Sequence, residues 1–163
     1  MADRRIFTVV GRAGHVIITD SKKIPGTDNG TLYQYYNPEG NTQLEAIKAL
    51  NGILSVIPKP GQARFDLPVV FLLPRFIEFL RYEDTRKVWI STGKKKNGQE
   101  IDEELLKEVK ALDKLVTQLG SNIQLFSHRG LKKEQFIQYK NATWNLLNEK
   151  VPEIEKVDAN EAF

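Results

Sequence analysis

The chain has 163 residues, a formal net charge of +3 and no cysteine. The lack of cysteine excludes disulfides, thiolate metal sites and cysteine nucleophiles, and it favours a reducing compartment, so we expect a cytoplasmic protein. No apolar run approaches the length needed to cross a bilayer, and no apolar signal segment follows the first residues, so we expect no membrane partner.

Charge is unevenly distributed along the chain. In residues 151–163, four acidic side chains oppose one lysine, and removing this net −3 leaves +6 on residues 1–150. We therefore expect one domain over residues 1–150 and a flexible acidic tail over residues 151–163. The basic domain favours a polyanionic partner, although a solvated lysine-rich surface would have the same composition.

The first part of the chain has the pattern of a strand meander followed by a helix. Three β-branched runs, at residues 5–11, 15–20 and 31–36, are separated by turn-forming residues and predict three antiparallel strands. Asn41 is of a residue type that favours helix N-termini, and apolar residues recur after it at helical spacing until Pro58. The pattern predicts a helix over this segment.

The remaining segments alternate between strands and helices. Residues 67–73 are almost continuously apolar, which is typical of a parallel strand buried on both faces. The further predicted elements are a short helix from Pro74 through Tyr82, a long helix at 102–119, a strand at 122–127 and a helix at 132–150. This order predicts an α/β fold with a mixed sheet, a three-stranded antiparallel meander plus two parallel strands, and helices on both faces.

Three stretches carry a family resemblance: Gly40-Asn-Thr-Gln-Leu-Glu45, residues 88–98 with three consecutive lysines, and residues 123–130 with a histidine. Together with the order of elements, they resemble bacterial ribonuclease H and the ribonuclease H-like superfamily. The first stretch is similar to the helix start that holds a catalytic glutamate, the second to the basic handle, and the third to the last strand and its loop. The resemblance covers about residues 5–150 and implies the mixed-sheet fold.

The resemblance also implies where catalytic acids would stand. The family's first strand ends in an aspartate before a glycine, and that position is Val10 here. The second aspartate position is Leu73, and a third acid on the last helix would fall near Gln138 or Asn141. Of these acids only Glu45 is retained.

The loss of these acids bears on catalysis. Two-metal hydrolysis of a phosphodiester needs cations about 3.5–4 Å apart that are held by hard oxygen ligands. Valine and leucine supply no such ligand, so we interpret the chain as a catalytically degenerate member, a pseudoenzyme without a cofactor. A divalent-metal-dependent nuclease with relocated acids, drawn from Asp20, Asp66 and Glu78, stays open as an alternative. Glu45 is equally explained as an acid favourable to the first helical turn.

A protein that has lost its catalytic residues can keep a surface that binds nucleic acid. Lys94, Lys95 and Lys96 lie between glycines in a turn-rich segment, where they would project together toward phosphates. Trp89 would stack on a base or sugar. The alternatives are a solvated loop for the lysines and core packing for Trp89.

Further nucleic-acid contacts are expected from loops at the carboxyl ends of the parallel strands, which lie together in this topology. The residues are Arg12, His128, Arg129 and Lys132. A local hydrogen bond is the alternative role of His128.

These patterns predict a non-catalytic nucleic-acid-binding protein, with RNA or an RNA/DNA hybrid as the favoured partner. The sequence has no phosphate-binding loop, zinc-binding histidine pair or cysteine cluster. An alternative from another functional class is an interaction scaffold, whose protein partner docks on an apolar former active-site surface near Val10 and Leu73. The sequence leaves the oligomeric state open.

Overall fold

A computed structural model describes residues 5–21, 31–57, 68–95, 97–130 and 134–147. They form a mixed sheet with helices on both faces. The strands are β1 (Ile6–Arg12), β2 (His15–Asp20), β3 (Thr31–Tyr36), β4 (Val69–Leu73) and β5 (Ile123–Ser127). The α-helices are α1 (Thr42–Leu54), α2 (Glu83–Thr92), α3 (Glu103–Leu119) and α4 (Glu134–Leu146).

The five strands lie in the order β3-β2-β1-β4-β5. β1 pairs antiparallel with β2, and β2 pairs antiparallel with β3, whereas β4 runs parallel to both β1 and β5. The predicted α/β class, with a three-stranded meander and two parallel strands, is confirmed. Ala13 and Gly14 make the tight turn of the meander with positive φ, and a Cβ at Gly14 would lie 1.9 Å from the Asn37 carbonyl oxygen, so only glycine fits there.

Side chains of β1 alternate between the two faces of the sheet, as strand geometry requires. Phe7 and Val9 belong to the main core, which also contains the buried residues of α1 and α3. Ile6 and Val10 point to the opposite face, where residues of α4 and the segment after it cover them. All five residues of β4 are buried, which confirms the double-sided burial predicted for this run.

Helix α1 begins as predicted at an asparagine cap. The Asn41 side-chain oxygen accepts a hydrogen bond from the Leu44 backbone N–H at 3.2 Å, which satisfies one of the unpaired donors of the first turn. Helix α3 buries Leu105, Val109 and Leu112 along one stripe and packs against α1. The cap role is therefore the one that the structure gives to Asn41.

The segment after β4 differs from its prediction. The short helix expected from Pro74 through Tyr82 is reduced to a 3₁₀ turn, Glu78–Arg81. Residues 88–92, expected as the start of the basic handle, belong to α2. Arg86 and Trp89 are one turn apart and are the buried residues of this helix. Their burial against α3 and the core outweighs the low helix propensity of the β-branched residues around them.

Two sets of sequence predictions lie outside the described residues: the acidic tail at 151–163, and the outer turns predicted for the last helix. Within the described ranges, no helix combines the length and apolar character needed to cross a bilayer.

Candidate nucleic-acid interface

The residues between α2 and α3 close into a short hairpin. The Lys95 N–H donates to the Gln99 carbonyl at 2.8 Å, and the Ile101 N–H donates to the Gly93 carbonyl at 2.9 Å. Gly93 ends α2 with φ +67° and a hydrogen bond from its N–H to the Trp89 carbonyl, a cap for which glycine is favoured. We call residues 93–101 the lysine hairpin.

The two described lysines of the lysine hairpin differ in exposure. Lys94 is exposed and Lys95 is half-buried. In the part of the chain that the structure describes, neither ammonium group has an ion-pair partner. Lys96 lies outside the described residues, between the described Lys95 and Asn97. The described part of the turn thus presents two ammonium groups without ion-pair partners, although Glu100 lies opposite Lys94 in a β-bridge, and free ammonium groups are what a phosphate contact requires.

Trp89 lies beside the lysine hairpin but faces inward. Its side chain is 4% exposed, belongs to the main core and lies with its ring centroid 5.3 Å from that of Phe79. The core-packing alternative is therefore correct for Trp89, and the predicted stacking on a base is wrong for a ring with so little exposed surface. The exposed aromatic residue of this region is Tyr82, at 54% exposure, which the sequence patterns did not single out.

Arg129 is tied to a buried acid. Its guanidinium forms an ion pair with the Glu78 carboxylate, which also accepts a hydrogen bond from the Ser127 hydroxyl. Burial alone would raise the pKa of Glu78, but the hydrogen bonds from Ser127 and Arg129 and the charges of Arg129 and Arg81 lower it below its usual value. The Arg129 side chain remains 66% exposed, so it can contact a ligand, but with its charge balanced by Glu78.

His128 does not supply a cation. Its Nε2 donates to the Leu72 carbonyl oxygen at 3.1 Å. Burial, helped by the positive charge of Lys140, lowers its pKa to about 4, although backbone carbonyls of Leu72 and Val9 act in the opposite direction. The imidazole is neutral at pH 7, so the local hydrogen bond replaces the phosphate contact predicted for His128.

Arg12 is not brought to the lysine hairpin. The Arg12 guanidinium carbon lies 5.3 Å from the ring centroid of Trp144 on α4, so Arg12 belongs to the face opposite α1 and α3. Lys132 lies outside the described residues. Lys95 lies near Phe79 and Tyr82, since all three line one surface groove, whereas Arg12 lies on the other face of the sheet.

The positions that resemble the family's aspartates do not form a cleft. Val10 and Leu73 are both buried, Val10 among residues of the α4 face and Leu73 in the main core on the other face. The apolar docking surface of the scaffold alternative is therefore not available at these residues. Gln138 and Asn141, the positions considered for a third acid, are exposed on α4.

An aromatic ring occupies the space above the end of β1. A Cβ added at Gly11 would lie 2.9 Å from Phe76 Cζ and 3.0 Å from Thr42 Cγ2. The Phe76 carbonyl accepts a hydrogen bond from the Gln43 side chain at 2.9 Å, which ties the segment after β4 to the first turn of α1. Phe76 thus fills the junction of β1, α1 and β4.

The retained acid, Glu45, faces the meander. Burial raises the pKa of Tyr33 on β3 to about 12, and the negative charge of Glu45 contributes in the same direction. The carboxylate also raises the pKa of Lys48, after the larger effect of the hydrogen bond to Glu104. Glu45 is thus the first-turn acid of α1, placed among Tyr33 and Lys48.

The acids considered for a relocated metal site are engaged separately. Asp20 is buried in an ion pair with Arg5, Glu78 is bound by Ser127 and Arg129, and Asp66 lies outside the described residues. Across the described ranges, no group of three or more histidine, aspartate or glutamate side chains is placed so that it could hold a metal ion.

Comparisons of the chain with protein-family models, with curated proteins and with solved structures find no match.

Proposed function

We propose that the protein binds nucleic acid without cleaving it, on a degenerate ribonuclease H-like scaffold. The observation that carries the proposal is the lysine hairpin, which presents Lys94 and Lys95 from a hydrogen-bonded turn without ion-pair partners among the described residues. Each phosphate neutralised by such a lysine releases condensed counterions, so the contact is favourable and depends on salt. RNA or an RNA/DNA hybrid is the favoured partner, on the family resemblance.

The scaffold part of the proposal has support from topology. The described elements follow the order that the resemblance implies, with an antiparallel meander, a helix, and two parallel strands that alternate with helices. The segment between the second and third α-helices carries the lysines, as a basic handle would. The handle differs in one respect, because its first part is the packed helix α2 rather than a projecting excursion.

The non-catalytic part of the proposal has support from three side chains. Val10 and Leu73 are buried on opposite faces of the sheet, so even acids at these two positions would not converge without rearrangement. Phe76 fills the junction above Gly11. A hydrated divalent cation requires several oxygen ligands and space for retained water, and neither is supplied by this hydrocarbon environment.

A binding panel tests the proposal. Single-stranded RNA, single-stranded DNA, both duplexes and the hybrid are titrated with the full chain at about 50 and 200 mM salt, with Mg²⁺ present so that cleavage is scored beside retention. We expect retention that weakens steeply with salt, and intact nucleic acid. Cleavage that EDTA abolishes would establish the nuclease alternative, and no retention of any nucleic acid at the lower salt concentration would refute the proposal.

A further inference from the structure

An open groove runs between the start of α2 and the lysine hairpin. Its volume is about 490 Å³, within the range of roughly 300–1,000 Å³ found for sites that hold small molecules and cofactors. The lining residues are Phe79, Tyr82, Thr85, Trp89, Lys95 and Asn97. We call this the aromatic groove. Three of its six residues are aromatic, one is a cation, and none is acidic.

Tyr82 is the exposed aromatic ring of the groove, and it is held in place. The guanidinium carbon of Arg81 lies 4.2 Å from the centre of its ring, and Arg81 Nη2 donates to the Tyr82 hydroxyl. Arg81 is itself anchored, because its Nη1 donates to the Glu78 carbonyl at 2.7 Å. A ring fixed in this way loses little rotamer freedom when a planar ligand stacks on it. The arginine makes the stack a cation–π arrangement as well.

The rim of the groove has hydrogen-bond donors and positive charge. The Asn97 side-chain oxygen accepts from the Gln99 backbone N–H at 3.0 Å, so the orientation of the amide is fixed and its NH₂ group remains as a donor. Lys95 lines the groove, and the exposed Lys94 precedes it in the hairpin. Aromatic surface flanked by cations is the combination by which proteins hold unpaired bases and their phosphates.

We infer that the aromatic groove binds one unstacked base of a single-stranded segment, with the base on Tyr82 and an adjacent phosphate on Lys95. The inference rests on the proposed function and adds the strand type to it. A base inside a duplex is stacked on both faces and cannot reach the ring without unpairing. The groove therefore selects single strands, or single-stranded ends next to a duplex. Charge complementarity favours this occupant, because the charged residue that lines the groove is Lys95 and no acid lines it.

The test uses Trp89 as a reporter inside the groove. The chain has two tryptophans, and Trp144 lies on the opposite face of the sheet, so Trp144→Phe leaves Trp89 as the only indole. Oligonucleotides of about 12 nucleotides are titrated as a single strand, as a blunt hybrid, and as a hybrid with a short single-stranded overhang. We expect the single strand and the overhang, but not the blunt hybrid, to change Trp89 fluorescence.

Substitutions at Tyr82 then separate stacking from charge. Tyr82→Ala should weaken binding of the single strand about 5- to 150-fold, which corresponds to the stacking contribution of one base. Tyr82→Phe should retain most of the affinity, because it keeps the ring. Binding of the blunt hybrid should not change. Ile137→Ala, at an exposed apolar residue of α4, is the matched control and should change neither affinity. Because Tyr82 is exposed, circular dichroism should show all these variants folded.

The outcomes distinguish the two proposals. If no nucleic acid binds at low salt, the proposed function itself fails. If nucleic acid binds but Tyr82→Ala has no effect and Trp89 fluorescence stays constant, the groove inference alone is overturned. A fluorescence change caused by a glutamate-rich peptide, and not by the single strand, would also overturn it by assigning the groove to an acidic protein segment.

Discussion

His128 Nε2 donates a hydrogen bond to the Leu72 carbonyl oxygen at 3.1 Å, at the carboxyl end of the sheet. Leu72 belongs to β4 and His128 follows β5, so this hydrogen bond links the ends of the two parallel strands. Its pKa is about 4 because burial disfavours the charged form. A histidine at this place therefore joins structural elements as a neutral group.

The lowered pKa of His128 predicts a loss of stability in mildly acidic solution. The pKa is 6.5 in an unperturbed histidine and about 4 in the folded chain, so between these pH values the unfolded chain binds a proton that the folded chain does not. The contribution of neutral His128 to the free energy of unfolding is fully present above about pH 6.5. It is lost as the pH falls toward 4, by up to about 3 kcal/mol.

His128→Asn provides the comparison for this effect. The asparagine amide keeps an N–H donor for the Leu72 carbonyl but does not titrate. Urea unfolding at a series of pH values should show a free energy of unfolding that falls between pH 6.5 and 4 in the wild type, and a shallower fall in His128→Asn. Parallel pH profiles for the two proteins would contradict the burial of a neutral imidazole.

Removal of the Asp113 side chain is predicted to lower the stability of the protein strongly. Its carboxylate accepts from Arg86 at 2.9 Å and from Lys87 at 2.7 Å, and the Arg86 side chain is only 4% exposed. Asp113→Ala would leave a buried guanidinium without its counter-charge and should cost about 3–5 kcal/mol. Lys87→Met removes the exposed partner and should cost less than about 1 kcal/mol. If urea unfolding gave the same loss of stability for Asp113→Ala and Lys87→Met, the prediction that the buried Arg86–Asp113 pair dominates would be contradicted.

The same network connects stability to the aromatic groove. Arg86 Nη1 donates to the carbonyls of Leu80 and Arg81, which fixes the 3₁₀ turn just before Tyr82. We therefore expect Asp113→Ala to weaken single-strand binding together with stability.

Whether Gly11→Ala raises or lowers the free energy of unfolding is predicted to depend on Phe76. The φ angle of Gly11 is not in the left-handed region. In open space, Gly11→Ala would therefore stabilise the folded protein by about 0.4–1 kcal/mol, because alanine lowers the conformational entropy of the unfolded chain. Because the new Cβ would lie 2.9 Å from Phe76 Cζ, overpacking should reverse the sign and cost about 1–3 kcal/mol.

A double-mutant cycle with Phe76→Ala checks this contact. Removing the ring opens the space next to residue 11, so Gly11→Ala should cost much less in the Phe76→Ala background than in the wild type. Equal costs in both backgrounds, measured by urea unfolding, would place Phe76 away from the end of β1.

The fold could be predicted from sequence where one residue pattern had one structural meaning. The β-branched run of β2 and the continuous apolar run of β4 predict strands by themselves, and the apolar stripe of α3 predicts a helix. Helix α2 was not predictable in this way, because Val88, Ile90 and Thr92 are β-branched and favour a strand or an irregular segment. Helix α2 is held in the fold by long-range contacts, such as the hydrogen bond from Arg86 to Asp113, a residue 27 positions away.

The candidate site could be predicted in its charges but not in its partners. The three adjacent lysines are visible in the sequence, and so are the glycines that predict a turn around them. The inward orientation of Trp89 and the exposure of Tyr82 both follow from α2, so the wrong aromatic residue was selected. The pairing of Glu78 with Ser127 and Arg129 spans 49 and 51 residues, so a local sequence pattern could not predict it.

The salt dependence of binding tests the central claim most directly. In the variant with Lys94, Lys95 and Lys96 all changed to Gln, the slope of log affinity against log salt should fall in magnitude by about two to three units, since each duplex phosphate contact contributes about 0.9. The matched control changes Lys107, Lys110 and Lys114, which are exposed on α3, and should alter the slope by less than about one unit. An unchanged slope in the hairpin variant, or an equal fall in both variants, would contradict the assignment of the lysine hairpin to nucleic acid.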